Sequence, residues 1–271
     1  MSRLRSISYL LIEVDNPSYL GYSQIKNMKV IISIGIWLGS GLLTILLFWV
    51  VFILNILLFP FDKKKKITHA QCFWWSDAVI GLNPYWNVRV SGLENIDPKK
   101  TYVVISNHQS LADIVVLYQT KMQFKWVAKA SLFKVPFIGW CLGLIKHIKL
   151  LRGDFSSIKE IYHQASKWLQ KDMSVLFFPE GTRSSSDRMN EFQNGAFKLA
   201  IKEKKPILPI CLIGTREAIP KGSWIFKGRV SASLIVLPAL ETDGLAPGDF
   251  ASLRDTVRGK IEGAALEYAA K

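Results

Sequence analysis

Residues 101–113, Thr-Tyr-Val-Val-Ile-Ser-Asn-His-Gln-Ser-Leu-Ala-Asp, join a β-branched run to the start of a helical pattern. Strands favour Val, Ile and Tyr, and α/β proteins place their binding groups where a strand ends and a helix begins. His108 and Asp113 are five residues apart. On one continuous helix their side chains would therefore diverge by about 140°. Contact requires His108 to lie in the turn before the helix, with Asn107 or Ser106 as the helix cap.

The pair His108 and Asp113 is a candidate for acid-base chemistry. Histidine is the side chain best suited to take a proton near neutral pH, and a carboxylate bonded to its second nitrogen fixes the tautomer and stabilises the imidazolium. The alternative is a histidine at a helix start and an acidic residue in the first turn, with no chemistry between them.

Short β-branched runs alternate with amphipathic stretches from about residue 67 onward. Strands are predicted at 87–90, 102–105, 125–128, 148–151, 175–178, 207–213 and 230–237. Helices are predicted at 68–80, 112–119, 155–170, 195–202 and 250–269. This alternation predicts an α/β fold with a mostly parallel, mixed sheet that helices cover.

A run without any charged residue extends over residues 30–61 and is rich in Ile, Leu, Val, Phe and Trp. It exceeds the roughly 20 residues of a membrane-spanning helix and is too long for a secretory signal. We therefore expect a hydrophobic helical membrane anchor. Either one tilted helix crosses the bilayer, or two shorter helices turn near Gly39-Ser40-Gly41 and lie in one leaflet.

Lysines flank this apolar run unevenly. Lys26 and Lys29 precede it, and four lysines at 63–66 follow it. The heavier flank predicts that the rest of the chain faces the cytoplasm, at the inner membrane if the protein is bacterial, with the lysines near anionic head groups. We predict a tail and membrane anchor over residues 1–66 and a catalytic domain over residues 67–271.

The composition limits the classes of protein that this chain can belong to. The 271 residues include 35 Lys and Arg against 21 Asp and Glu, a net charge of +14, and 49% are hydrophobic. Such hydrophobicity excludes intrinsic disorder as the main state. Three well-separated cysteines make a disulfide framework improbable. The positive charge suits nucleic acid, an anionic membrane or a phosphorylated substrate.

A second charged motif follows another apolar strand. Residues 174–178, Ser-Val-Leu-Phe-Phe, run directly into Pro-Glu-Gly-Thr-Arg at 179–183. Gly181 permits a close backbone approach, and the planar guanidinium of Arg183 is suited to bind phosphate. This motif indicates an anion-binding loop at a sheet edge, whereas a surface Glu-Arg pair in an ordinary turn is the alternative.

Taken in order, these motifs resemble those of the 1-acylglycerol-3-phosphate O-acyltransferases, or lysophosphatidic acid acyltransferases, of the glycerolipid acyltransferase superfamily. The resemblance covers about residues 74–240. Its blocks are Asn-His-x-x-x-x-Asp at 107–113, Lys-Val-Pro-Phe-Ile-Gly-Trp at 134–140 with Arg152 beyond it, Phe-Pro-Glu-Gly-Thr-Arg at 178–183, and Leu-Pro-Ile at 208–210. Gln193 and Asn194 stand where the family commonly has lysines, so one cationic contact is expected to be missing.

The resemblance implies a reaction and a role for each matching residue. His108, oriented by Asp113, would take the proton of the sn-2 hydroxyl of 1-acylglycerol-3-phosphate. The oxygen would then attack the thioester of acyl-CoA or acyl-acyl carrier protein, and phosphatidic acid would form. The residues implied in substrate binding are Glu180, Gly181, Thr182, Arg183 and Arg152.

We expect neither a resident cofactor nor a metal, because Cys72 and His69 lack further ligands at metal spacing. The expected partners are a lysophospholipid acceptor, the acyl thioester donor and the bilayer, with no nucleic acid. Two alternatives stay open: transfer to another lysolipid, or a non-catalytic, membrane-attached protein that binds anionic lipid or nucleic acid.

Overall fold

The structure is a computed structural model, and it describes residues 22–151, 155–184, 188–218, 224–226 and 229–270. Its strands are β1 (Trp86–Ser91), β2 (Val103–Ser106), β3 (Phe124–Lys129), β4 (Ile148–Leu150), β5 (Ser174–Phe177), β6 (Ile207–Ile213) and β7 (Val230–Val236). Each predicted strand is confirmed to within one residue at either end.

Within the described residues the strands form one seven-stranded sheet in the order β1-β7-β6-β2-β5-β3-β4. Neighbouring strands are parallel except for β6 and β7, which pair antiparallel. The predicted mixed, mostly parallel sheet is confirmed. Because β2, β5 and β6 are parallel neighbours, the segments that follow them emerge at the same edge of the sheet.

The five helices predicted from amphipathic patterns are confirmed to within two residues at either end, whereas the helix of the apolar run 30–61 begins eight residues earlier and ends four residues earlier than that run. The helices are α1 (Tyr22–Leu57), α2 (Lys66–Leu82), α3 (Ala112–Leu117), α4 (Ile138–Leu144), α5 (Phe155–Leu169), α6 (Gly195–Glu203), α7 (Thr215–Ala218) and α8 (Phe250–Ala269). The sequence analysis missed α4 and α7, which are too short for a helical period to stand out.

Helix α1 is continuous over 36 residues, a length of about 54 Å. It passes through Gly39-Ser40-Gly41 without a turn, so the predicted alternative of two shorter helices is wrong. By length and composition its segment Asn27–Leu57 is long and apolar enough to cross a membrane. Leu47 and Val51 nevertheless belong to the same core as the sheet, and the predicted domain division at residue 66 stays a prediction.

Helices cover both faces of the sheet. On one face, α1 to α4 enclose a core with Val104, Leu176 and Leu212. On the other face, α5, α6 and α8 pack against the alternate side chains of the same strands, among them Val103 and Val175. Strands buried on both faces explain the continuous apolar runs from which they were predicted.

His69 gives this fold an expected sensitivity to acid. It is fully buried on α2, with the Phe124 and His147 rings at centroid distances of 5.2 and 5.7 Å. Burial, reinforced by the nearby Lys125 charge, lowers the pKa of His69 from 6.5 to about 3. Below about pH 6.5 the His69 side chain therefore binds a proton in the unfolded chain but stays neutral in the folded chain. The free energy of unfolding consequently falls as the pH falls through this range.

We expect the thermal midpoint of the protein in detergent to drop by about 5 °C between pH 7 and pH 5 on account of this one group. His69→Phe should reduce that drop, and the exposed control His163→Phe should not. Equal acid sensitivity in the wild type and in His69→Phe would contradict the assignment.

Candidate active site

The loop after β2 brings His108 and Asp113 into contact. His108 Nδ1 lies 2.7 Å from Asp113 Oδ2, and the same oxygen accepts the backbone N–H groups of Gln109 and Ser110 at 2.6 and 2.9 Å. Because this carboxylate oxygen only accepts, Nδ1 must carry the proton, which leaves the lone pair of Nε2 for another partner. Asp113 is fully buried, and His108 is about one-fifth exposed. This is the geometry that orients a histidine as a general base.

The His108 backbone is held by the loop after β5. Its N–H donates to Glu180 Oε1 at 2.7 Å, and its carbonyl accepts the N–H of Ser184 at 2.9 Å. The second Glu180 oxygen accepts the N–H of Asn190 at 2.9 Å. Burial raises the pKa of Glu180, while these two backbone N–H groups act in the opposite direction. The imidazole ring also stacks on Phe178, with centroids 4.1 Å apart.

Asn107 is not the helix cap that the sequence predicts. Its side chain bridges β2 to β6, donating to the carbonyl of Leu212 and accepting its N–H, both at 2.8 Å. The Ser106 hydroxyl bonds to the carbonyl of Asn107, and the residue at the cap position is Leu111, without a side-chain hydrogen bond. The acidic side chain of Asp113 reaches back to the turn amides instead.

The motif at 179–183 divides into an inward and an outward part. Glu180 is 5% exposed and points towards backbone amides, whereas Gly181, Thr182 and Arg183 lie on the side that opens to solvent. Gly181 has a φ of +68°, a conformation that favours glycine. Arg183 is half-buried, and within the described ranges its side chain makes no hydrogen bond or ion pair. Arg152 lies outside the described residues.

A cavity of about 1630 Å³ opens beside these groups. His108, Gly181, Thr182 and Arg183 line one part of it. Apolar side chains line most of the rest, and they come from α1, α2, α4 and the loop before α4. A polar catalytic group at the edge of an apolar cavity is typical of a site that takes a long-chain substrate.

Lys129 is a cation of this cavity that the sequence analysis missed. It is exposed at the carboxyl end of β3, and it lines the same cavity as Arg183. Its position directly after the predicted strand 125–128 could have signalled it, because α/β sites lie at that end of parallel strands. Gln193 and Asn194 also line the cavity.

Within the described residues no cluster of three or more His, Cys, Asp or Glu side chains is placed to hold a metal ion. Cys72, Cys141 and Cys211 are buried and unpaired with one another.

Comparison with known proteins identifies the family. The family described as Acyltransferase matches residues 87–213. A 1-acyl-sn-glycerol-3-phosphate acyltransferase of Chlamydomonas reinhardtii is 33% identical over 238 residues, which are 85% of this chain and 70% of that protein. The chain belongs to the 1-acyl-sn-glycerol-3-phosphate acyltransferase family. The resemblance stated from the motifs is confirmed.

Other members of the family match over shorter regions. A chloroplastic 1-acyl-sn-glycerol-3-phosphate acyltransferase of Brassica napus is 36% identical over 60% of this chain, and the match spans 47% of that protein. The chain thus spans about half the length of this relative.

A crystal structure shares the fold of this family member. The 1-acyl-sn-glycerophosphate acyltransferase of Thermotoga maritima superposes with a TM-score of 0.78 over 91% of this chain and 98% of that chain, at 23% identity. The likeness extends through most of the chain and supports the α/β fold.

Proposed function

We propose that this protein transfers an acyl group from a thioester to the sn-2 hydroxyl of 1-acylglycerol-3-phosphate and so forms phosphatidic acid for phospholipid synthesis. The observation that carries the proposal is the His108–Asp113 contact beside an apolar cavity that His108 and Arg183 both line. Nε2 of His108 takes the hydroxyl proton, and Asp113 stabilises the imidazolium that results. The oxygen bonds to the thioester carbonyl, and the carbon–sulfur bond then breaks.

The leaving thiolate takes up the proton from His108, so the histidine returns to its starting form. No covalent acyl-enzyme is needed, and neither is a resident cofactor or metal. The donor is acyl-CoA or acyl-acyl carrier protein, both of which are acidic and suit a chain of net charge +14. The apolar cavity walls offer a site for acyl chains.

Arg183 is proposed to bind the acceptor phosphate, with Lys129 as a second cation of the same cavity. Gly181 and Thr182 are proposed to border the phosphate, and Arg152 stays a predicted contact. Charge-assisted hydrogen bonds of an arginine to phosphate are worth on the order of a ten- to hundred-fold change in binding. Gln193 and Asn194, which also line the cavity, contribute no charge to it.

Helix α1 is proposed to lie in one leaflet rather than to cross the bilayer. Near its start, Ser33 Oγ accepts the N–H of Phe226 at 3.0 Å. Beyond its end, Lys64 pairs with Asp172 at 3.6 Å, and Gln123 donates to the Lys66 carbonyl at 3.0 Å. Both ends of the apolar segment thus contact the same domain. If the helix crossed the bilayer, this one domain would have to lie on both sides of the membrane.

The membrane is proposed to be the inner membrane if the source is bacterial, with the catalytic domain on the cytoplasmic side. The outward face of α1 carries exposed Trp37, Leu42 and Trp49, which would enter the acyl region. Trp37 also lines the cavity, so this placement brings the cavity close to the bilayer, where a lipid acceptor and an acyl chain reside.

Thiol release from palmitoyl-CoA by the detergent-solubilised protein tests the reaction, with lysophosphatidate and lysophosphatidylcholine as acceptors. We expect release that depends on lysophosphatidate and yields phosphatidic acid. Release with lysophosphatidylcholine alone would favour another lysolipid acceptor. Absence of release with both CoA and carrier-protein donors, together with salt-sensitive binding of nucleic acid, would favour a non-catalytic binding protein.

Arg183→Ala is expected to raise the KM for lysophosphatidate about ten-fold or more while kcat changes little, because a uniform binding contact is lost. Arg183→Lys should restore part of the affinity through its charge alone. Steady-state thiol release at varied acceptor concentration measures both. Arg89→Ala, on the exposed edge strand β1, is the matched control, and an unchanged KM in Arg183→Ala would contradict the phosphate role.

A further inference from the structure

The turn between α1 and α2, residues 58–65, exposes large apolar side chains at its start. Phe59 is 75% and Phe61 is 85% exposed, and they follow Ile56 and Leu57, which are 60% and 68% exposed. Isolated exposed apolar residues are ordinary in proteins, but contiguous ones mark an interaction surface. We call residues 56–66 the Phe-Lys segment.

Lysines directly adjoin these phenylalanines. Lys63 and Lys66 are exposed, and Lys64 is partly exposed. Lys146 is also exposed. It lies near Lys65, because the charges of both residues lower the pKa of Lys125. A patch of cations next to exposed aromatic rings has the two properties that an anionic membrane surface recognises.

The acidic residues of the Phe-Lys segment and its surroundings neutralise only part of this patch. Asp62 is turned inward, where it accepts the N–H groups of Lys66 and Thr68 at 2.7 and 3.0 Å and the Thr68 hydroxyl at 2.8 Å. These bonds also fix the turn, because they tie it to the first turn of α2. Asp172 pairs with Lys64 at 3.6 Å, and among the described residues Lys63 and Lys66 make no ion pair.

The Phe-Lys segment is remote from the catalytic groups. Its contacts are Asp172, just before β5, and Gln123, just before β3, at the amino ends of parallel strands. His108 follows the carboxyl end of β2, at the opposite edge of the sheet. Along α1, the 20 residues from the cavity wall at Trp37 to Leu57 span about 30 Å.

We propose that the Phe-Lys segment is a second membrane contact that selects anionic lipid. Phe59 and Phe61 enter the boundary between head groups and acyl chains, and Lys63, Lys64 and Lys66 bind the lipid phosphates. The inference rests on the one-leaflet placement proposed above, because only then do both ends of α1 meet the same bilayer surface. The proposed acceptor and product are anionic lipids, so this contact would hold the enzyme where they are enriched.

Flotation with vesicles tests this contact in the full-length protein. The vesicles contain phosphatidylcholine alone or phosphatidylcholine mixed with phosphatidylglycerol, at low and high salt. We expect the wild type to bind the anionic vesicles more than ten-fold better at low salt and the preference to shrink at high salt, since each lysine contributes about five-fold. A triple variant, Lys63→Gln, Lys64→Gln and Lys66→Gln, should lose most of the preference while it still binds neutral vesicles.

Matched control variants remove three positive charges, or one exposed apolar side chain, at sites away from the Phe-Lys segment. Lys167→Gln, Lys202→Gln and Lys260→Gln remove three exposed lysines from α5, α6 and α8, on the opposite face of the sheet. Leu266→Ser removes an apolar side chain that is 72% exposed on α8. We expect Phe59→Ser with Phe61→Ser to weaken binding to both vesicle types, and both controls to bind as the wild type does.

Several outcomes would overturn the inference. Equal binding of the wild type to neutral and anionic vesicles would do so, as would an equal loss of preference in the control triple variant. If Phe59→Ser with Phe61→Ser abolished self-association in detergent and left vesicle binding unchanged, the occupant would be a second copy of the chain. If the wild type bound neither vesicle, the one-leaflet placement itself would fail.

Thiol release in mixed detergent micelles separates this inference from the proposed reaction. The lysine triple variant should turn over at the wild-type rate there, because micelles present the acceptor without a charged bilayer. A wild type that selects anionic vesicles but releases no thiol would contradict the acyltransfer proposal and leave the membrane contact supported.

Discussion

His108→Ala is expected to lower kcat for thiol release by about 10³-fold, within the 10²- to 10⁴-fold range of general-base catalysis. Because Nδ1 is bonded to Asp113 at 2.7 Å, the lone pair of Nε2 is the part of the His108 ring that can take the hydroxyl proton. Alanine removes that lone pair together with the imidazole ring. The backbone bonds from His108 to Glu180 and Ser184 stay, so the loop should keep its shape.

The variant is compared with His163→Ala, which removes an exposed histidine of α5. Far-UV circular dichroism and vesicle flotation should be unchanged in both, and thiol release should be lost in His108→Ala alone. Asp113→Asn should also lower kcat strongly, since an amide nitrogen facing Nδ1 favours the wrong tautomer. If His108→Ala kept more than a tenth of the wild-type kcat, His108 would be excluded as the base.

Local patterns were sufficient to predict every strand and the longer helices, but not the short helices α4 and α7. The strands are buried on both faces, so each appears in the sequence as a continuous apolar run. Helical rotation showed that His108 and Asp113 could touch only if His108 preceded the helix, and the structure places His108 in that turn, in contact with Asp113. The approach of the 179–183 motif to this pair follows from the parallel pairing of β2 with β5.

Contacts between distant segments could not be predicted in this way. Strand β7 lies between β1 and β6, and no local pattern encodes that order. Lys125 is fully buried, with Nζ donating to the Ile145 carbonyl at 2.8 Å, although a lysine in a strand suggests an exposed face. The apolar run of α1 suggests a free anchor, yet Leu47 and Val51 complete the core of the sheet. Each of these depends on partners far away in the chain.

Glu180 is the residue for which the motif and the geometry give different expectations. The family resemblance implies that it binds substrate, whereas both of its carboxylate oxygens accept backbone N–H groups, from His108 at 2.7 Å and from Asn190 at 2.9 Å. We propose that it positions the catalytic histidine. A misplacement of about 1 Å in a catalytic group costs on the order of a hundred-fold in rate.

Glu180→Ala is therefore expected to lower kcat about a hundred-fold with little change in the KM for lysophosphatidate, because two buried N–H groups lose their acceptor and the loop moves. Glu180→Gln keeps one acceptor oxygen and should recover part of the rate. Glu191→Gln, an exposed neighbour, is the control. Steady-state thiol release separates the two roles: a group that contacts the acceptor raises KM when it is removed, whereas a positioning group lowers kcat. A raised KM with unchanged kcat in Glu180→Ala would show that Glu180 binds substrate. If Glu180→Gln recovers the kcat that Glu180→Ala loses, the hydrogen bonds of this side chain, rather than its charge, position His108.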